Sequence, residues 1–283
     1  MSDADPVNLT SETAVTEHNA FFWGAFIFSV VGCFLEFLVL IFFCNEFLKS
    51  GTSHLKSAYF LMLNYGYFVD IIATMLWNLA EAIYPDHSGH LTIAGTIVIF
   101  YSEFQLGFWS ALMGLDRCIA LVCSFFHDKI WTGLPFSIIM ILLIIFPFLI
   151  GYRYFLNPCL FRFYDSSCVS FVDNYYTFIA ILNISLCCGT LIIVLGAILL
   201  SRQRNVASNT LKKIERRLVW QTITATTLLT LYYICNLITA LTISTDPQTG
   251  LNFQILSSYV YSLHTYPPIK LNKTLTVPMK STN

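Results

Sequence analysis

The chain has 283 residues, of which 56% are apolar and 11% charged, with a mean hydropathy of +0.68. A typical soluble domain carries roughly 25% charged residues, so an ordinary water-soluble fold is excluded. The net charge of −1 supplies no basic field and excludes nucleic acid as a partner.

The first stretch, 1–20, is polar and acidic (Asp3, Asp5, Glu12, Glu17) and has no Lys or Arg. Within it, Asn8-Leu9-Thr10 is an acceptor pattern for N-glycosylation. Apolar stretches then run at roughly 21–43, 58–82, 91–122, 134–152, 175–200, 218–243 and 251–269. Each is long enough to cross a bilayer, because a rise of about 1.5 Å per residue must cover a core about 30 Å thick. The stretches 136–150 and 179–200 hold no charged side chain. No basic segment precedes the first apolar run, so that run reads as an anchor rather than a cleaved signal peptide. The polar 201–217 stretch reads as a continuation of its two flanking helices beyond the bilayer. The last span is the least apolar, with Asn252, Gln254, Ser257, Ser258, Ser262, His264 and Thr265, and reads as a helix lining the interior of a bundle.

The 15 Lys and Arg residues sort by side. Lys49, Lys56, Arg117, Lys129, the six of the 201–217 loop and Lys270, Lys273 and Lys280 fall on one side; Arg153 and Arg162 fall on the other. Because cytoplasmic loops carry the basic excess, the amino terminus is expected outside and the carboxyl terminus inside. The expected fold is therefore an all-α membrane protein. An extracellular tail (1–20) leads into a seven-transmembrane helix bundle (21–269) and a short cytoplasmic tail (270–283).

The nine cysteines show no metal-ligand spacing. Cys33, Cys187, Cys188 and Cys235 sit within spans as small apolar groups, and Cys44, Cys118 and Cys123 lie near the inner face. Cys159 and Cys168 share an outer loop and are the pair that an oxidising compartment allows to bridge. His87 and His90 read as solvated loop residues with no further ligand, and no metal is expected. No nucleophile elbow, phosphate-cradling loop or His-Glu-x-x-His pattern is present, so the chain is not expected to be an enzyme.

Three carboxyls fall within spans: Glu36, Asp70 and Glu103. Ionisable groups in a bilayer turn toward partners or water inside a bundle. Each reads either as a packing patch or as a functional group: an ion-sensing or switching cluster for Glu36 and Asp70, a ligand contact for Glu103. Glu103 lies fourteen residues before Arg117, about 21 Å along a straight helix, toward the floor of an outward pocket. Tyr101, Phe104 and Phe108 neighbour it; Trp77, Asn78 and Glu81, then Tyr232, Tyr233 and Asn236, then Tyr259 and Ser262 complete the candidate wall. Each also reads as plain packing. Aromatic walls with few polar groups suit a small, partly apolar ligand.

At the inner end of the third span stands Leu115-Asp116-Arg117-Cys118. An arginine there can snorkel to the interface, or, with an anion beside it, act as a switch whose five donors change partners. Asp-Arg at this place in a seven-span chain resembles the rhodopsin-like G-protein-coupled receptors. More narrowly, Met113-Gly114-Leu115-Asp116-Arg117-Cys118-Ile119-Ala120-Leu121 with Trp131 downstream, and the tail Leu271-Asn272-Lys273-Thr274-Leu275, resemble the nematode serpentine chemoreceptors. The resemblance implies that Arg117 meets a heterotrimeric G protein on activation and that Asp116 restrains it at rest. It also matches Asp70 to a second-helix aspartate that often binds sodium. Gly32-x-x-x-Glu36 matches a first-helix Gly-x-x-x-Asn with Glu for Asn, so a proton shared by Glu36 and Asp70 competes with sodium. There are departures. Thr92 stands where the third-helix cysteine is expected, the sixth span has no proline, and Tyr266-Pro267-Pro268-Ile269-Lys270 replaces Asn-Pro-x-x-Tyr.

The reading implied is a chemosensory receptor in the plasma membrane of sensory cells, activated by a small molecule. Opening of helices three, five and six would free Arg117. Lys212, Lys213, Arg216 and Arg217 would then dock a G protein, or alternatively touch anionic membrane lipid. The rival reading is a proton- or ion-coupled transporter that uses Glu36, Asp70 and Glu103 as a relay.

Overall fold

The structure is a computed structural model that describes residues 20–48, 58–83, 89–163, 165–204, 209–242 and 247–265. Asn8 lies outside the described residues, as do the side chains of Glu81, Lys212, Lys213, Arg216 and Ser262. Among the described residues there is no strand. The helices are α1 (Ala20–Leu48), α2 (Ala58–Ile83), α3 (His90–Val122), α4 (Ser124–Ile130), α5 (Gly133–Phe155), α6 (Val169–Arg204), α7 (Asn209–Thr242) and α8 (Pro247–Thr265).

Six of these, α1, α2, α3, α5, α6 and α7, are long and apolar enough to cross a membrane. The expected seventh span corresponds to α8, which has 19 residues and is diluted by Gln248, Asn252, Gln254, Ser257 and Ser258. The chain is thus a multi-pass helical membrane protein. α6 and α7 run well past the apolar stretches that predict them, so that only 205–208 separate them. Two features have no counterpart in the apolar pattern. α4 is a short helix after the third span, and two 3-10 turns (Pro158–Arg162 and Ser166–Cys168) lie in the loop before α6.

The helices form a closed ring, α1–α2–α3–α6–α7–α8 and back to α1, with α5 packed outside against α3. Paired contacts show that α1 runs antiparallel to α2, and α3 to α7. Ser29 meets Asn78 while Phe43 meets Phe60 across α1 and α2. Glu103 meets Tyr232 while Ser110 meets Thr226 across α3 and α7. α3 and α6 run the same way: Gly107 faces Asn183 and Gly114 faces Thr190, the same spacing on both helices. A Cβ at either glycine would collide with its partner, so their absence lets the two backbones approach.

Apolar residues point outward as well as inward, which suits hydrocarbon surroundings. Leu134, Ile141, Leu149, Ile192 and Leu199 are exposed. The polar residues of α3, by contrast, are buried: Ser102, Glu103, Gln105, Ser110, Asp116 and Arg117 all face other helices. α8 does not follow this pattern: Ser257 is buried, but Asn252, Gln254 and Ser258 are exposed together with Leu256 and Leu263, so the expectation that its polar residues line the bundle interior holds for Ser257 alone of these.

The loop from α5 to α6 is stapled by a disulfide between Cys159 and Cys168. Its Leu160 is 2% exposed and packs with Phe100, Phe104, Tyr175 and Ile179, so the loop is a roof on the aromatic cluster. Asn157 and Asp165 each cap one of its turns through a backbone N–H. The Ser167 N–H lowers the pKa of the Asp165 carboxyl, so that cap is lost as pH falls into the acid range. On the other face, Gly133 has φ 61°, a left-handed conformation that glycine adopts without strain, and it starts α5.

The α2–α3 contact offers a test of packing. Trp109 Nε1 donates to the Met62 carbonyl at 2.8 Å, and a Cβ at Gly66 would strike the indole. Gly66→Val should cost about 1–3 kcal/mol by overpacking, whereas Leu149→Ala on the exposed face of α5 should leave the melting temperature of detergent-solubilised protein nearly unchanged. Equal melting temperatures for both variants would contradict this packing.

Candidate functional site

Three buried polar centres lie along the bundle. The first is built at the C-terminal end of α3. Asp116 is fully buried and Arg117 is 4% exposed. Arg117 Nε donates to Asp116 Oδ2 at 2.8 Å, and Nη2 donates to the same oxygen. The guanidinium carbon lies 4.2 Å from the centroid of the Tyr59 ring on α2, a cation–π contact. The second carboxylate oxygen, Asp116 Oδ1, is 3.0 Å from His127 Nε2. His127 reaches it because the chain bends at Cys123 and α4 folds back beneath α3, with Trp131 burying the far end. Asp116 therefore holds its neighbouring arginine with one oxygen and the inner loop with the other. Arg217, on the inner part of α7, is exposed.

The middle centre joins α1, α2 and α8. Glu36 is 2% exposed and Asp70 is 7% exposed. The Tyr261 hydroxyl donates to Asp70 Oδ1, and the Glu36 carboxyl neighbours Asp70. Two carboxyls side by side repel when both are charged, which favours a proton on one of them. Beside Asp70 lies a cavity of about 10 Å³ bordered by Gly66, Ser102, Gln105 and Trp109, space for about one water. Gln105 Oε1 is buried there without a hydrogen-bond partner. Its oxygen donors suit a sodium ion or a water, and the carboxyl pair suits a shared proton.

The third centre surrounds Glu103 on α3, which is 9% exposed. Tyr232 on α7 donates to Glu103 Oε1 at 2.6 Å. Asn183 Nδ2 on α6 and the Tyr233 hydroxyl donate to the Glu103 carbonyl at 2.9 and 3.3 Å. Asn236 neighbours the Tyr232 hydroxyl. Tyr175, Tyr176, Tyr232 and Tyr233 all feel the Glu103 charge.

Of the expected pocket wall, the structure brings Tyr232, Tyr233 and Asn236 to Glu103, with Phe104 in the adjoining ring cluster. The others point elsewhere. Tyr101 bonds Tyr65 at 2.8 Å and the Ile144 carbonyl at 3.1 Å. Phe108 stacks on Phe146 with centroids 4.0 Å apart, toward α5. Asn78 reaches Ser29 on α1 at 3.4 Å, and the Tyr259 ring lies 5.9 Å from that of Phe28. Trp77 is half-buried on α2. Space beside Glu103 is filled by aromatic side chains rather than open. Tyr59, His127, Asn183 and Tyr261 are partners that no apolar pattern or motif singles out. Helical period alone could have flagged Tyr261, four residues after the buried Ser257 on the inner face of α8.

The Tyr261–Asp70 bond predicts a coupled pair. Tyr261→Phe should cost about 1–3 kcal/mol by stranding a buried acceptor, and Asp70→Asn should make that loss smaller in the double variant. Thermal unfolding of the single and double variants in nanodiscs measures the coupling; strictly additive losses would contradict the bond. Comparison of the chain with protein-family models and with curated proteins finds no match in either case.

Proposed function

We propose that the chain is a seven-span chemosensory receptor of the G-protein-coupled kind, with its amino terminus outside the cell and its carboxyl terminus in the cytoplasm. It would reside in the plasma membrane of sensory cells, bind a small, partly apolar molecule near Glu103 and activate a heterotrimeric G protein. The observation that carries this reading is the clasp at the inner end of α3. Arg117 is held by Asp116 and by the face of Tyr59, both of which belong to the bundle. A buried arginine with intramolecular acceptors can be released to an intermolecular one when the helices around it separate.

Several observations support the seventh crossing. α8 runs antiparallel to α7, as Thr239 meets Gly250 and Tyr232 meets Tyr261. It reaches the level of Asp70, and its 19 residues span about 28 Å. It also joins α7 to α1 and so closes the ring. A ligand that favours the released arrangement would shift the equilibrium between two helix packings by its differential affinity. The resemblance to nematode serpentine chemoreceptors rests on the residues around Asp116-Arg117 and supplies the cell type and ligand class.

A relay across the bundle favours the second reading, a proton- or ion-coupled transporter. Glu103 accepts from Tyr232, the Tyr232 and Tyr261 rings lie 5.0 Å apart, and Tyr261 donates to Asp70, which meets Glu36. Nothing comparable continues to the inner clasp, where Asp116 bonds only Arg117 and His127 among the described residues.

Two measurements separate the readings. Epitope tags at the two ends should be reached from opposite sides of intact cells; tags on one side would refute the topology. Ligand-evoked nucleotide exchange on a Gα subunit should fall at least about 100-fold in Arg117→Ala, the order of a lost buried charge contact. Solute or proton flux that persists in Arg117→Ala and vanishes in Asp70→Asn would favour transport instead.

A further inference from the structure

Glu103 is a buried carboxyl with half of its acceptors unspent. The Tyr232 hydroxyl serves Oε1, while Tyr233 and Asn183 are committed to the backbone carbonyl. Glu103 Oε2 is buried and no donor of the protein reaches it. The Tyr175 hydroxyl is likewise buried without a partner. Among the described residues no Lys, Arg or His forms an ion pair with Glu103, in contrast to Asp116. Arg153 and Arg162, the basic residues of the loop on this side, are exposed. A buried charge left unpaired is costly, so an arrangement that retains one favours a positive group brought from elsewhere.

Rings chosen by their neighbours point the same way. Tyr232 and Tyr233 hydrogen-bond Glu103 and the Tyr175 ring lies 5.8 Å from that of the adjacent Phe104, and aromatic faces attract cations. A neutral donor gains one hydrogen bond from the carboxylate, whereas a cation gains the Coulomb attraction and the ring faces as well. The roof, Leu160 with Phe100 and Phe104, is apolar and held by the Cys159–Cys168 bridge.

We propose that Glu103 is the anionic anchor of a site for a small organic cation, an alkyl- or arylalkylammonium whose charged head meets Oε2 among the tyrosines and whose apolar part meets the Leu160 roof. This assignment rests on the receptor reading, because it takes the Glu103 centre as the ligand site. Occupation requires the tyrosine rings and the stapled loop to part, so binding should be slower in the oxidised protein than after the loop bridge is removed by Cys159→Ser/Cys168→Ser.

The test uses the full chain in nanodiscs at pH 7 and two matched pairs of probes: 2-phenylethylamine with 2-phenylethanol, and choline with 3,3-dimethylbutan-1-ol. Both cations should raise the melting temperature in a saturable way, and their neutral counterparts should not at equal concentration. Glu103→Gln keeps the shape and the Tyr232 bond but removes the charge. It should move half-saturation by the cations at least about 30-fold upward. Tyr232→Phe keeps the carboxylate and should keep the preference for cation over alcohol. Should Glu103→Gln fail to fold, the wild-type comparison of cation with alcohol decides alone. Equal stabilisation by both members of a pair, stabilisation by neither pair, or undiminished cation binding in Glu103→Gln overturns the proposal; the last two point to a proton on Oε2. Nucleotide exchange on Gα tells the two ideas apart. Exchange evoked by the alcohols alone keeps the receptor and removes the cation site, while Glu103-dependent cation binding without exchange does the reverse.

Discussion

Hydrocarbon offers no hydrogen bonds, so every polar group at membrane depth must be satisfied by another helix. α3 meets that constraint by enclosure. It touches α2, α5, α6 and α7; Thr96, Ser102 and Ser110 find partners on those helices or on its own backbone, while Thr92 Oγ1, Gln105 Oε1 and Glu103 Oε2 are buried without one. Ser110 meets Thr226 at 3.0 Å, Trp109 reaches Met62, and Glu103 gathers donors from α6 and α7. The helix that carries most of the candidate chemistry is therefore the helix with the least freedom to meet lipid. Polarity that would be costly on any outer helix becomes a means of fixing neighbours.

One helix is undervalued by hydropathy. α8 buries Ser257 and brings Tyr261 to Asp70, while Asn252, Gln254 and Ser258 are exposed beside Leu256 and Leu263. Those exposed polar residues lower its mean hydropathy. Its contacts with α7 and α1 nevertheless complete the ring, and without it Asp70 would lose the Tyr261 hydroxyl and the α1–α2 edge would open.

The positions of the apolar helices, and the bounds of α2 and α3, are legible in the residues alone, because a bilayer imposes length and apolarity on each helix separately. The Asp116-Arg117 pair is legible for the same reason: adjacent residues at a helix end meet whatever the tertiary arrangement. Partners across helices are not. His127 lies eleven residues beyond Asp116, and only the reversal at Cys123 brings it back. Tyr101, Phe108 and Asn78 share the depth of Glu103 yet face α5, α2 or α1, since depth follows from residue number and azimuth follows from packing. The α6 and α7 extensions are helical through polar residues, which apolarity cannot delimit.

Tyr232 and Tyr261 connect the outer and middle centres through adjoining helices. Each hydroxyl serves a carboxyl on a different partner, Glu103 on α3 and Asp70 on α2, while their rings lie 5.0 Å apart. A rotation of α7 that withdraws Tyr232 from Glu103 must slide its ring across Tyr261 or carry that ring along. The first outcome leaves Asp70 satisfied and strands Glu103; the second disturbs both carboxyls at once. Stranding a buried acceptor costs about 1–3 kcal/mol, the size of a typical coupling between sites. The hydrogen bonds of Asp70 and of Glu103 therefore bear on one and the same helix pair. Ser110 and Thr226, one step further along α3 and α7, lie on the line from that pair toward the Arg117 clasp.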